Sequence, residues 1–182
     1  MPRIIAFAGL AGSGKDTAAA VILEQLWWER RPLAGPLKAM LATLMKLRGC
    51  HDPETYTDGN LATKQATTPW LNNETPRRAM QLLGTEFGRA LSPTLWLDTW
   101  RDGMLKSTAH GVVVTDVRFA NEAEYLKKLG AEIYLVRRPG FVGGAGQHAS
   151  EDLSWAEGLE VIWNDFQTAE EFQDSVRARF FS

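Results

Sequence analysis

The stretch GLAGSGKDT, Gly9 to Thr17, holds the clearest chemistry in the chain. Gly9, Gly14 and Lys15 take the G-x-x-x-x-G-K spacing of a phosphate-binding loop. In such a loop the backbone N–H groups along Gly9, Ala11, Gly12, Ser13 and Gly14 form an anion cradle, which the N-terminus of the following helix reinforces. Lys15 then reaches the β- and γ-phosphates of a bound polyphosphate. The other reading of these residues is an ordinary glycine-rich turn. One position departs from the pattern: Asp16 stands where a hydroxyl is expected, and the hydroxyl arrives one residue later as Thr17. A carboxylate beside triphosphate meets charge of its own sign, and the conflict disappears if Mg²⁺ lies between them. Asp16 then binds the metal, directly or through water, and Thr17 serves the α- or β-phosphate. Alternatively, Asp16 caps the helix.

Further along, VVVTDVR places Asp116 at the carboxyl end of a buried strand, where open α/β sheets bind their ligands. A carboxylate there can hold Mg²⁺ or orient an acceptor nucleophile, and Arg118 projects toward the same cleft. A plain salt bridge between the two is the competing reading. Arg77, Gln81, Gly84, Thr85 and Gly88 recur at spacings of three and four, so they share one helix face. That face suits either a nucleotide or the close approach of a second helix. Arg89, Trp96, Trp100 and Arg101 follow, the two tryptophans offering either packing or a stacking platform. Arg137 and Arg138 end a strand ahead of a glycine-rich loop, where a closing lid can bring positive charge over a transferring phosphoryl group.

These residues need a scaffold that brings strand ends together. Ile4 to Ala8 reads as a strand buried on both faces, and KDTAAAVILEQLWWER as a helix with Ala19, Ile22, Leu23 and Leu26 on one side. A marginal second strand is expected near Arg31 to Ala34, then a helix from Pro36 that Gly49 ends. His51 to Asn73 is polar and turn-rich and reads as an irregular excursion. Thr75 and Pro76 start the next helix as cap and first residue, and another covers Trp96 to Leu105. Strand GVVVTD, helix NEAEYLKKLG, strand AEIYLVRR, strand LEVIWND and helix TAEEFQDSVRARFF complete the order. The alternation predicts a parallel sheet with helices on both faces and a long helical insertion between the second and third strands.

At 182 residues and 45% hydrophobic, the chain fits one domain with a substantial core. The start MPRIIAFAG has no signal-peptide pattern and no run is long enough to span a membrane, so a cytoplasmic protein without membrane association is expected. A net charge of -2 gives no global basic field, so no nucleic-acid partner is expected and an anionic ligand must be held by local groups. Cys50, the one cysteine, excludes an intrachain disulfide and reads as a small buried or half-buried residue.

Taken in order, GSGKDT, PLK, TPRRAMQLLGTEFGR, TDVRFANEAE, QHASE and VIWND resemble the bacteriophage-type deoxynucleoside monophosphate kinases over nearly the whole chain. QLLGTEFGR and DVRFANE are the selective strings, since the loop alone says only P-loop NTPase. The resemblance implies an α/β, three-layer P-loop NTPase fold with a parallel sheet, a helical acceptor-binding insertion over 37–105 and a short lid over 139–152. It implies transfer of the ATP γ-phosphoryl group, with Mg²⁺, to a deoxynucleoside 5′-monophosphate. It places Asn164 and Asp165 against the donor adenine and Lys38 among the acceptor residues with Arg77, Gln81, Arg89, Trp96, Trp100 and Arg118. Gly35 stands where this group has an acidic residue before PLK, and no acceptor contact is assigned there. A homodimer is left open, and a phage-encoded enzyme would work in the host cytoplasm. Other readings are a P-loop kinase for another small phosphate acceptor and a nucleotide-dependent switch or motor subunit. Against the last stand the missing Asn-Lys-x-Asp guanine-reading string and the short, non-basic chain. His148, Ser150 and Glu151 are given no role beyond lid or hinge.

Overall fold

The computed structural model describes residues 1–140 and 152–181. Its centre is a five-stranded, all-parallel sheet in the order β2-β3-β1-β4-β5. The strands are β1 Arg3–Ala8, β2 Trp28–Arg30, β3 Gly111–Val117, β4 Glu132–Arg137 and β5 Glu160–Trp163. The helices of this part are α1 Lys15–Leu23 and, later in the chain, Ala120–Lys128 and Ala169–Phe181. β1 reads as an unbroken apolar run because both its faces are covered: Ile4 to Ala8 are all buried. Ile5 and Phe7 point into a core shared with Ala18, Val21 and Ile22 of α1 and with Phe172 and Val176 of the last helix. Alternate residues Ile4 and Ala6 turn to the opposite face and are equally buried.

The chain divides into two compact units, one formed by Met1–Pro32 with Met104–Ser182 and the other by Leu33–Gly103. The second unit is helical, beginning with α2 Gly35–Leu47, which has Pro36 in its first turn. Gly49 closes α2 with φ +89, donating its N–H to the Lys46 carbonyl while Cys50 N–H reaches back to Met45. Leu41, Met45 and the buried thiol of Cys50 form a small core here, packed by Tyr56, Trp70 and Met80. Residues 51–73, expected as irregular, contain two short helices, α3 Glu54–Thr57 and α4 Leu61–Gln65, and a 3₁₀ turn at Pro69–Leu71. The last two starts are capped locally, Asn60 accepting from Thr63 N–H and Thr68 from Trp70 N–H. Thr75 caps α5 Pro76–Gln81 as expected, accepting from Arg78 N–H at 3.2 Å.

Two expectations are corrected. The first helix ends at Leu23 rather than running through WWER, and β2 is Trp28–Arg30 rather than a strand near Arg31 to Ala34. Parallel pairing with β3 claims these residues, and the Trp28 indole fills the space over Gly111, where a Cβ would lie 2.4 Å from the ring. Trp27 turns the chain at φ +69, and Leu26, read on one helix side with Ala19 and Ile22, lies outside the helix and is 84% exposed. Tertiary pairing here outweighs helix propensity. The second correction concerns α5. It runs on as a π-helical segment, Leu82–Gly88, before a last α-turn, α6 Arg89–Leu91. The wider i→i+5 turn breaks the three-and-four spacing that would have aligned Arg77 and Gln81 with Gly84, Thr85 and Gly88.

The remaining helices are α7 Leu95–Met104, α8 Ala120–Lys128 and α9 Ala169–Phe181. No helix among the described residues is long and apolar enough to cross a membrane.

Candidate active site

The carboxyl ends of the parallel strands gather the chemistry. Ala8 of β1 pairs with Val117 of β3 and with Leu135 of β4, so Gly9, the Asp116–Arg118 segment and Arg137 come to one edge of the sheet. Between Ala6↔Val114 and Ala8↔Val117 the register shifts, with Thr115 and Asp116 of β3 opposite Phe7 alone. An extra residue of this kind bends a strand and re-aims side chains, and here it falls within Thr115–Asp116.

The loop between β1 and α1 is held from beneath. Gly9 and Gly14 have φ +139 and +109, and neither has space for a side chain. A Cβ on Gly9 would lie 2.4 Å from the Val136 carbonyl oxygen, and one on Gly14 would lie 2.6 Å from Asn164 Nδ2. Ser13 is 2% exposed, and its Oγ has no hydrogen-bond partner among the described residues. The Ser13 carbonyl accepts from Asn164 Nδ2 at 3.0 Å.

Lys15 opens α1 with its ammonium turned back over the loop, donating to the carbonyls of Gly9 at 2.7 Å and Leu10 at 2.6 Å. Burial pulls its pKa down to about 8, helped by the positive charge of Arg118 and opposed by Asp16 and Asp116. One ammonium thus feels two carboxylates and a guanidinium, all from residues picked out by sequence. Asp16 lies in the first turn of α1 but does not cap it, for the N-cap is Gly14. Its carboxylate, 76% exposed, instead accepts from Arg30 Nη1 at 3.1 Å. Sequence reading missed Arg30 because it had assigned WWER to a helix.

Arg118 follows β3 and is exposed; its backbone N–H and that of Phe119 both donate to Glu122 Oε2, at 2.8 and 3.1 Å, and its carbonyl accepts from the Trp155 indole. Those bonds set the turn from β3 into α8. Arg137 ends β4 and Arg138 follows it, both exposed, and Asp165 is exposed beyond β5. The lid expected over 139–152, including His148, Ser150 and Glu151, falls almost entirely outside the described residues.

In the helical unit, Lys38 donates to Asp58 Oδ1 at 2.9 Å, Arg77 is exposed, and Gln81 and Arg89 are half-buried. Trp96 lies across the π segment, its indole N–H donating to the Gly84 carbonyl at 3.2 Å and its ring occupying the space where a Cβ on Gly88 would stand. Those glycines therefore admit an indole from α7. Trp100 is 1% exposed. Its ring is a packing element, which corrects the reading of Trp100 as a base-stacking residue.

Among the described residues no group of three or more His, Cys, Asp or Glu side chains is placed to hold a metal ion. A pair of carboxylates suffices for Mg²⁺ when phosphate oxygens complete its shell, because this ion keeps several waters and takes few protein ligands. Asp16 and Asp116, hard oxygen donors whose charges both act on Lys15, are the pair that could serve in this way.

Several known proteins are similar to this chain. The family model "Deoxynucleotide monophosphate kinase" matches residues 50–176. A protein of Acanthamoeba polyphaga mimivirus, provisionally named a deoxynucleotide monophosphate kinase, is 29% identical over 185 residues, covering 95% of this chain and 93% of its own. An uncharacterized protein of Ictalurid herpesvirus 1 (strain Auburn) is 30% identical over 94% of this chain and 68% of its own length. The deoxynucleoside-5′-monophosphate kinase of Escherichia phage T5 is 43% identical over 54 residues, 29% of this chain and 22% of that one.

Proposed function

As a member of the deoxynucleotide monophosphate kinase family, the chain is a phosphotransferase, and we propose that it moves the γ-phosphoryl group of ATP to a deoxynucleoside 5′-monophosphate, giving ADP and the deoxynucleoside diphosphate. The observation that carries this reading is the convergence on Lys15: a half-buried ammonium over a glycine loop, within the fields of Asp16, Asp116 and Arg118. Phosphoryl transfer asks a protein for alignment and charge neutralisation, and those are the properties of this cluster.

The roles divide as follows. The loop N–H groups from Gly9 to Gly14, with Thr17, take the donor phosphates, and Lys15 exchanges its loop carbonyls for phosphate oxygens. Asp16 and Asp116 would hold Mg²⁺, which when bound neutralises charge on the transferring group. Asp116 also orients the acceptor oxygen. Arg118 and Arg77 take the acceptor phosphate, with Arg89 next, and Lys38 and Gln81 belong to the same acceptor group. Arg137 or Arg138 supplies positive charge as the lid closes and water is excluded. Asp165, just past β5, lies toward the adenine.

A coupled ADP-release assay over a panel of deoxyribonucleoside and ribonucleoside monophosphates tests the reading. ADP release that requires a deoxynucleoside monophosphate is the expected result. Hydrolysis of ATP at the same rate without an acceptor would replace it with a switch or motor, and transfer to a different small acceptor would replace the substrate alone.

A further inference from the structure

Asn164 follows β5 directly, and two of its groups are committed. Its backbone N–H donates to the Arg137 carbonyl at 2.7 Å, extending the β4/β5 ladder and fixing where the residue sits. Its side-chain amide donates to the Ser13 carbonyl at 3.0 Å. The same nitrogen occupies the space beside Gly14, 2.6 Å from where a Cβ would be, with the Phe172 ring edge 3.1 Å from that point. The loop is therefore tied to the far strand of the sheet at one peptide, the one joining Ser13 to Gly14.

That peptide is trans, as is every peptide among the described residues, so its C=O and N–H point in opposite directions. Holding the Ser13 oxygen down on Asn164 turns the Gly14 N–H the other way, away from the sheet. Gly14 is also the N-cap of α1, where unsatisfied N–H groups gather for an anion.

We propose that Asn164 is a positioning residue for phosphate: through the Ser13 carbonyl it aims the Gly14 N–H at the polyphosphate of the donor nucleotide, and it does not read the adenine base. The proposal rests on the phosphate-loop reading given above. It makes the amide at the end of β5 part of the machinery that binds triphosphate, although it touches no phosphate itself.

Tripolyphosphate, which has every phosphate of the donor and no base, separates the two roles. Binding of tripolyphosphate and of ATP is measured by calorimetry in the wild-type chain, Asn164→Ala and Asn164→Asp. Asn164→Ala is expected to weaken both ligands equally, by about fivefold, the scale of one neutral hydrogen bond, while the monophosphate KM stays unchanged. Asn164→Asp keeps the shape but turns a carboxylate oxygen toward the Ser13 carbonyl, so it is expected to bind more weakly than Asn164→Ala at neutral pH. Its binding relative to wild type should recover as acidification protonates the carboxyl and restores a donor, which a packing role alone would not produce. Weakened ATP with unchanged tripolyphosphate would assign Asn164 to the base and overturn the proposal. Unchanged binding of both ligands would also overturn it. Should Asn164→Ala not fold, the pH dependence of Asn164→Asp decides, and failure of both variants to fold would reduce the residue to a structural role. Tripolyphosphate binding needs no acceptor, so this result is read separately from whether deoxynucleoside monophosphates are phosphorylated.

Discussion

Arg30 at the end of β2 donates to the carboxylate of Asp16 in the first turn of α1, Nη1 to Oδ1 at 3.1 Å. The pair is largely exposed, with side chains 42% and 76% accessible, so it contributes under about 1 kcal/mol to stability. What it changes is the competition for Asp16. A cation that uses this carboxylate must displace or share it with a guanidinium.

Asp16→Asn is expected to raise the Mg²⁺ concentration needed for half-maximal rate, since the amide keeps the shape and loses the charge. Arg30→Ala is expected to lower it. Magnesium titrations at saturating ATP and monophosphate read both shifts, and unchanged midpoints in the two variants would remove Asp16 from the metal site. The thermal midpoint should barely move in either, because Gly14 and not Asp16 caps the helix.

Lys15 gives a pH signature. Its folded pKa, about 8, lies below the ordinary 10.5, so between those values the unfolded chain holds more protons and stability rises with pH. Below pH 8 the full cost of the buried charge is present, on the order of 3 kcal/mol. Loss of two hydrogen bonds from a charged group, at about 1.5 kcal/mol or more each, cancels that gain in a Lys15→Met variant. The variant is therefore expected to be no more stable than wild type at pH 7 and to fall further below it toward pH 10.5, while transferring no phosphate. Denaturant titrations at the two pH values check the sign. For the wild type, kcat/KM for ATP should fall above pH 8 as the free enzyme loses its ammonium, with kcat holding to higher pH because bound phosphate favours the charged form.

Arg118→Ala bears on both subsites. Its charge helps lower the Lys15 pKa, so removing it should move the alkaline limb of kcat/KM to higher pH. It should also weaken the acceptor by about tenfold to a hundredfold, the scale of a charged hydrogen bond. Monophosphate titration and the pH profile test the two effects separately. Weakened ATP binding with unchanged monophosphate would mean the subsites are assigned the wrong way round.

Ser13→Ala is expected to stabilise the chain. The hydroxyl is buried without a partner among the described residues, and removing an unsatisfied buried group gains about 1 kcal/mol, or roughly 2–4 °C in midpoint for a chain of this size. ATP affinity should be retained, since Oγ lies under Gly9, 2.8 Å from where a Cβ there would stand. Calorimetric melting and ATP titration together decide whether the hydroxyl is needed for phosphate.

The parts of the site carried by local pattern were legible in the sequence. Gly9, Gly14 and Lys15 are recognisable because a phosphate cradle demands glycines and a lysine at fixed spacing, and Asp116 because a β-branched run ends on it. The legible fold likewise consists of elements that announce themselves, such as Pro36 and Gly49 bounding α2 or Thr75 capping α5. What remained hidden depends on partners distant in sequence. Trp28 to Arg30 look helical until β3 pairs with them, so Arg30 was not seen. The register shift at Thr115 and Asp116 exists only in the pairing of β1 with β3. The amide of Asn164 finds Ser13 across 151 residues, and no local periodicity announces such a bond. The π turn escaped for a different reason: Leu82 to Gly88 have sound helix-forming sequence, and the widening coincides with a Trp96 indole arriving from α7.

The division of the chain also orders its biogenesis. The helical unit, Leu33–Gly103, is continuous, whereas the sheet unit is completed by segments on either side of it. β1 leaves a ribosome before the other four strands of the sheet, and its two neighbours, β3 and β4, begin only at Gly111 and Glu132. An apolar strand thus waits, with both ladder edges open, while the helical unit is synthesised and can fold. During that interval Ile4 to Ala8 is the segment with most need of chaperone cover, and slow translation through residues 33–103 would lengthen the exposure.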